Sequence, residues 1–87
     1  MRALSLLIAD RGESILPTLL EKLEREQDEQ FQYGIIEILE VMSVKGYLRG
    51  KPDAILRIRQ VVLKMKIPLT RELADERLDK IERDNAI

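Results

Sequence analysis

The sequence predicts an all-α protein, and three observations lead to that prediction. Hydrophobic residues make up 45% and charged residues 36% of the 87 residues, a mixture that favours packed amphipathic helices. Apolar residues recur at spacings of three and four, which is the period of one helix face. No segment has the apolar–polar alternation that is typical of a strand. We therefore expect about five antiparallel helices in a single domain that spans residues 1–87.

The first two predicted helices lie in the N-terminal third of the chain. Residues 4–9 are apolar apart from one serine and predict a short helix. A second helix is predicted from about Glu13 to Glu26, because its apolar residues follow helical spacing. These residues are Ile15, Leu16, Leu19, Leu20 and Leu23. Pro17 is compatible only with a first turn, where its missing N–H has no intrahelical partner, so Glu13 or Ser14 should lie at or near the cap.

The third predicted helix begins after Asp28, which suits an N-cap, and extends to about Val44. We expect one stripe of apolar residues to face the core: Phe31, Ile35, Ile38, Leu39 and Met42. Ile36 and Val41 widen this stripe and predict that the helix packs on more than one neighbour. Gly34 costs about 1 kcal/mol relative to alanine inside a helix, and we attribute it to the close approach of another helix.

The fourth predicted helix follows a glycine-containing loop over residues 45–51 and begins near Pro52. Its inward-facing residues should be Ile55, Ile58, Val62 and Met65. The helix is expected to end at Ile67, because the residue before a proline disfavours helical dihedral angles.

The fifth predicted helix is capped by Thr70. Its narrow apolar stripe contains Leu73, Ala74, Leu78 and Ile81. Residues 84–87 are expected to fray at the end of this helix. With this element the whole chain is assigned to helices and short loops.

The segment from Gly12 to Leu39 resembles one unit of the HEAT-repeat family. The Leu16-Pro17 step matches the apolar-proline step that opens the first helix of such a unit, and Asp28 lies where the family usually has an aspartate in the turn. The family's arginine is replaced here, since Phe31, Gln32 and Tyr33 occupy that region. The resemblance implies HEAT-like helical hairpins with an exposed face for protein recognition. Repeat arrays need about three units for stability, so it also implies dimerisation or a compact helical bundle.

Residue types exclude most catalytic chemistry. The chain has no histidine and no cysteine, which removes the commonest general base, the usual zinc ligands and thiol catalysis. Glycine-rich phosphate-binding motifs are absent as well. Acidic pairs with helical spacing are Glu37 and Glu40, Glu72 and Glu76, and Asp75 and Asp79. We interpret them as a solvated face and expect no enzyme activity, no cofactor and no metal site.

Charge is distributed unevenly along the chain. Residues 13–43 contain eight acidic and two basic residues, whereas residues 44–66 contain seven basic residues and one acidic residue. The seven basic residues form the candidate partner-binding site: Lys45, Arg49, Lys51, Arg57, Arg59, Lys64 and Lys66. Helical spacing places Arg57 and Lys64 on one flank and Arg59 and Lys66 on another.

Three interpretations of this basic segment remain open. It neutralises the acidic helices within one fold or between protomers, it binds an acidic protein partner, or it contacts nucleic-acid phosphates. The last is the least favoured, because the net charge is −1 and few aromatic residues accompany the cations.

A second feature points to a partner, because the third and fourth helices carry more apolar residues than one buried face requires. The surplus residues are Ile36, Val41, Leu56, Val61 and Leu63. Either a second neighbour within the chain buries them, or they form an interface with another copy or another protein.

The chain contains neither a signal-peptide pattern nor an apolar run long enough to cross a membrane. We therefore expect a cytoplasmic, non-catalytic protein-interaction or scaffold module that binds a protein partner or another copy of itself. The alternative is a nucleic-acid-associated accessory protein that uses residues 45–66. The early apolar residues fit a fragment or one protomer of an assembly as well as a whole protein.

Overall fold

Four α-helices account for most of residues 12–85, the part of the chain that the computed structural model describes. A 3-10 turn over Gly12–Ile15 precedes them. The helices are α1 (Leu16–Arg25), α2 (Glu29–Val44), α3 (Pro52–Leu63) and α4 (Pro68–Asp84). No strand occurs within residues 12–85, so the all-α class is confirmed for them. The helix predicted over residues 4–9 lies outside the described residues.

Proline marks the start of three of these helices. Pro17, Pro52 and Pro68 each occupy the first or second helical position, where a missing N–H costs no hydrogen bond. The N-cap of α1 lies one residue beyond Ser14, close to the predicted position. The chain first makes the 3-10 turn, so the N-cap is Ile15, which forms no side-chain cap bond.

Helix α2 follows its sequence prediction closely. Asp28 is the N-cap, and its carboxylate accepts a hydrogen bond from the backbone N–H of Gln30 at 2.9 Å. The helix ends at Val44 as expected.

The boundary between α3 and α4 differs from its prediction. Helix α3 ends at Leu63 rather than near Ile67, and residues 64–67 connect it to α4. The N-cap of α4 is Ile67, so Thr70 lies inside the first turn instead of at the cap. A contact from α2 holds this connection, because the Glu29 carboxylate accepts hydrogen bonds from the backbone N–H of Lys66 at 2.7 Å and of Ile67 at 3.1 Å.

The end of α4 is anchored rather than frayed at the residues that are described. The Asn85 side-chain amide donates hydrogen bonds to Ser43 Oγ and to the Ile81 carbonyl, both at 2.7 Å. The prediction of fraying was therefore wrong for Asp84 and Asn85. Residues 86–87 lie outside the described part.

The buried core draws on all four helices and on two residues outside them, Leu48 and Met65. The largest fully buried side chains are Leu23, Ile36, Leu39, Met42, Leu48, Ile58, Val62, Leu78 and Ile81. Leu48 was missed by sequence reasoning, because it lies in the loop between α2 and α3. Phe31 and Leu73 were predicted to face the core but are 61% and 40% exposed, since each lies at the edge of its helix's buried stripe.

Glycine has different roles in the helix and in the loop. An added Cβ at Gly34 would meet no atom within 4 Å, so the predicted close approach of another helix is wrong. Gly46 and Gly50 have φ angles of 87° and 71°, and these left-handed conformations let the chain turn between α2 and α3.

Each of the four helices packs against two others; we call α1 and α2 the first pair and α3 and α4 the second pair, in chain order. Helix α1 contacts α2 and α3, and helix α4 contacts α2 and α3, whereas the two diagonal combinations make few contacts. Helices α2 and α4 run in the same direction, because Glu29 at the start of α2 reaches Ile67 while Ser43 near its end reaches Asn85. The described residues measure 29 × 29 × 20 Å.

Candidate interaction surfaces

The fold disperses the seven predicted cations over three regions. Lys45, Arg49 and Lys51 lie in the loop between α2 and α3. Arg57 and Lys64 line the groove between α1 and α3, and Lys66 lines the same groove from the α3–α4 connection. Arg59 faces α4 instead. Pairing Lys66 with Arg59 on one flank was therefore wrong, because the helix ends at its C-cap Lys64 and spacing beyond that residue is no longer helical.

Arg57 is bound to a carboxylate of the neighbouring helix α1. Its Nε donates to Glu24 Oε2 at 3.0 Å, and its Nη2 donates to Glu24 Oε1. This hydrogen bonding lowers the pKa of Glu24 below its ordinary value, with further help from the positive charges of Arg57 and Lys64. The same contact raises the pKa of Arg57. Arg57 thus joins α1 to α3 by a bidentate pair.

Arg59 forms the matching contact on the other side of α3. Its Nη2 donates to Glu82 of α4, and both side chains are partly exposed. For Arg57 and Arg59, the interpretation that basic residues neutralise acidic helices within the fold agrees with these contacts.

Lys64 and Lys66 differ from these arginines, because their ammonium groups form no ion pair or hydrogen bond with a described residue. Both side chains are exposed. They lie at the end of the groove where α3 finishes, beside Glu24, Glu29 and Arg57. This part of the groove encloses about 370 Å³. Its two lysines therefore present charge that no direct contact compensates.

A second depression lies on the other side of the Arg57–Glu24 pair, towards the loop. It is lined by Leu16, Pro17 and Leu20 of α1 and by Lys51, Pro52 and Asp53. The Lys51 Nζ donates to the Tyr47 carbonyl at 3.2 Å. Arg57 borders both depressions, so we call the two together the α1–α3 groove. One of its ends is polar and basic, and the other combines two prolines with mixed charge.

A second arginine site joins α2 to α4. Arg77 donates to Tyr33 Oη at 3.2 Å and to the two Glu40 carboxylate oxygens at 3.0 and 3.2 Å. Its guanidinium also lies 5.9 Å from the centre of the Tyr33 ring. The hydrogen bond to Tyr33, together with those to Glu40, raises the pKa of Arg77. Glu40 is thus engaged by an arginine.

The remaining acidic pairs lie on the outside of α4. Glu72, Asp75, Glu76 and Asp79 are all exposed, as expected for a solvated face. Across residues 12–85, no three acidic side chains come close enough together to hold a metal ion.

The surplus apolar residues differ in how exposed they are. Ile36 and Val61 are buried and Val41 is half-buried, whereas Leu56 and Leu63 are 52% and 58% exposed. Further exposed apolar side chains follow Leu63 along the chain. We define the apolar corner as Leu63, Ile67, Leu69 and Leu73, which surround the connection between α3 and α4. The sequence prediction did not include Ile67 or Leu69, because both flank a proline outside any helical stripe.

Comparison with known proteins yields no match: no family model fits the chain, and no curated protein or solved structure is significantly similar to it. The HEAT-like resemblance therefore stays a prediction. Within the described residues, none of the helices has the length and apolar character needed to cross a membrane.

Proposed function

We propose that this chain is a non-catalytic protein-interaction or scaffold module that self-associates. The apolar corner carries the proposal. Its four residues are between 40% and 66% exposed, although they follow each other closely around one connection. Burying each of these side chains in an interface is favourable by about 1 kcal/mol or more, because its apolar surface leaves water.

The packing of the helices supports the same proposal. Two helical pairs lie side by side, with α2 parallel to α4. This is the arrangement expected of a short stack of helical repeats, in which an end pair presents a surface to a neighbour. A stack of two pairs is shorter than the roughly three units that repeats need, so contact with another copy would complete it.

Molar mass in solution tests self-association. We expect light scattering coupled to size exclusion to give a dimer at both low and high salt, because apolar contacts are not screened by ions. The double variant Leu63→Glu/Leu69→Glu should be a monomer. The matched control is Val44→Glu, which also charges an exposed apolar residue but lies at the opposite end of α2 from the apolar corner. A wild-type monomer of 10.1 kDa at all concentrations would overturn self-association.

The nucleic-acid alternative rests on Lys64 and Lys66, whose charges are not paired with carboxylates in the described part. It requires an affinity for oligonucleotides that falls steeply with salt through counterion release. An affinity for oligonucleotides that exceeds the affinity for any acidic peptide would favour this alternative.

A further inference from the structure

We infer that the α1–α3 groove binds a short, extended acidic segment of a partner protein. The inference deepens the proposed interaction function and rests on it, but it concerns a surface separate from the apolar corner. The first argument is charge. Both carboxylates at the basic end are already engaged, since Glu24 binds Arg57 and Glu29 binds two backbone N–H groups. The ammonium groups of Lys64 and Lys66 therefore remain for carboxylates from outside.

Arg57 adds a donor in the middle of the groove. Its Nε and Nη2 bind Glu24, and Nη1 donates to no described residue. A guanidinium whose other edge is fixed by a carboxylate is held in one orientation, which reduces the entropy lost when a second acceptor binds. This position suits a second carboxylate or a backbone carbonyl of the partner.

Side-chain amides give the groove a way to bind a peptide backbone. The amides of Gln27 and Gln60 border the basic end, are exposed, and make no hydrogen bond with a described residue. Each amide has donors and an acceptor, so each can bind both the N–H and the carbonyl of an extended chain. By contrast, no aromatic side chain borders either part of the groove, which disfavours stacking of unpaired bases.

The length of the groove sets the length of the segment. Helix α3 rises about 17 Å between Pro52 and Leu63 at 1.5 Å per residue, and an extended chain covers that distance in about five residues. Exposed Pro17 and Pro52 at the loop end suit one apolar side chain, whereas carboxylates are needed towards Lys64 and Lys66. The expected ligand is therefore an apolar residue followed by a short acidic run.

Fluorescence anisotropy with the full chain tests this inference. The probe is a fluorescein-labelled peptide of one leucine followed by five glutamates, and a peptide of one leucine and five lysines serves as the comparison. We expect saturable binding of the acidic peptide only. The double variant Lys64→Glu/Lys66→Glu should weaken binding about tenfold or more, since it reverses two charges at the site. The control variant is Lys80→Glu, which reverses an exposed lysine on α4 away from the groove and should leave binding unchanged.

Two results would overturn the inference. The first is an equal loss of peptide binding in both variants, which would indicate a general charge effect. The second is tighter binding of a labelled single-stranded oligonucleotide than of the acidic peptide. Far-UV circular dichroism confirms that each variant is folded. The uncharged variant Leu63→Gln/Leu69→Gln separates this inference from the proposed self-association: it should bind the peptide normally as a monomer, because it adds no negative charge beside Lys64. A wild-type dimer that does not bind the peptide would therefore refute the groove inference and leave the proposed self-association standing.

Discussion

At the scale of single residues, the Glu24–Arg57 pair makes folding depend on pH. The pair lowers the pKa of Glu24 in the folded chain below its ordinary value of 4.5. Its stabilising contribution is therefore fully present above that value and is lost as the pH falls through the lowered pKa. We expect the carboxyl carbon of Glu24 to titrate below 4.5 when followed by NMR, and to return towards 4.5 in Arg57→Met.

The control for this titration is Arg25→Met. Arg25 neighbours Glu24 in sequence but pairs with Glu21 at 2.9 Å, so its removal should leave the pKa of Glu24 nearly unchanged. Because both partners of the Glu24–Arg57 pair are more than one-third exposed, the effect on stability should be small and should weaken in salt. An unaltered Glu24 titration in Arg57→Met would show that the pair does not persist in solution.

At the scale of elements, one glutamate of α2 determines how α3 gives way to α4. The Glu29 carboxylate accepts hydrogen bonds from the backbone N–H groups of Lys66 and Ile67, and it also lies favourably in the first turn of its own helix. We expect Glu29→Ala to lower the free energy of unfolding by about 1–2 kcal/mol. Urea denaturation followed by circular dichroism measures the change.

Gln30→Ala provides the comparison for this variant. Gln30 is exposed in the same turn of α2, and its side chain makes no contact with the connection, so the expected change is within about 0.5 kcal/mol. Similar effects of the two substitutions would mean that Glu29 acts only through its own helix and not through the α3–α4 connection.

The sequence predicted elements well where local chemistry decides them. Asp28 caps α2 through a bond to Gln30, and Pro52 starts α3, because both effects depend on neighbours within one helical turn. The end of α3 was misplaced because it depends on Glu29, which is more than 30 residues away in sequence. Local rules placed the boundary at Ile67, whereas residues 64–67 lie outside helix and two of their backbone N–H groups bind Glu29.

The candidate site was predicted only in part, for the same reason. Composition identified the cations of residues 45–66, and spacing correctly joined Arg57 to Lys64. Composition and spacing cannot show which carboxylate pairs with each cation. Glu24 and Glu82 contact α3 from helices on opposite sides of it, and that depends on how the helices pack. The grouping of Lys66 with Lys64 and the exposure of Leu69 likewise follow from how the two helical pairs pack.

At the scale of the whole molecule, the two helical pairs share one core. Buried residues of α1 and α2 form a single cluster with those of α3 and α4, and the contact of α2 with α4 is the most extensive between any two helices. The pairs are also joined by polar contacts at both ends of α2, through Glu29 and Ser43. Because no pair has a separate core, we expect the described residues to unfold as one unit.

Shortening the Ile36 side chain tests whether the described residues unfold as one unit. Ile36 lies in α2 and is fully buried, so Ile36→Ala should cost about 2–5 kcal/mol. At about 0.05–0.15 kcal/mol per residue, the expected free energy of unfolding of the chain is roughly 4–13 kcal/mol. The loss in Ile36→Ala is therefore a large part of it. Hydrogen exchange should then speed up by a similar factor for core amides in both pairs, including those of Ile58 and Leu78. Faster exchange confined to α1 and α2 would mean that the second pair, which carries the apolar corner and most of the groove's cations, is stable by itself.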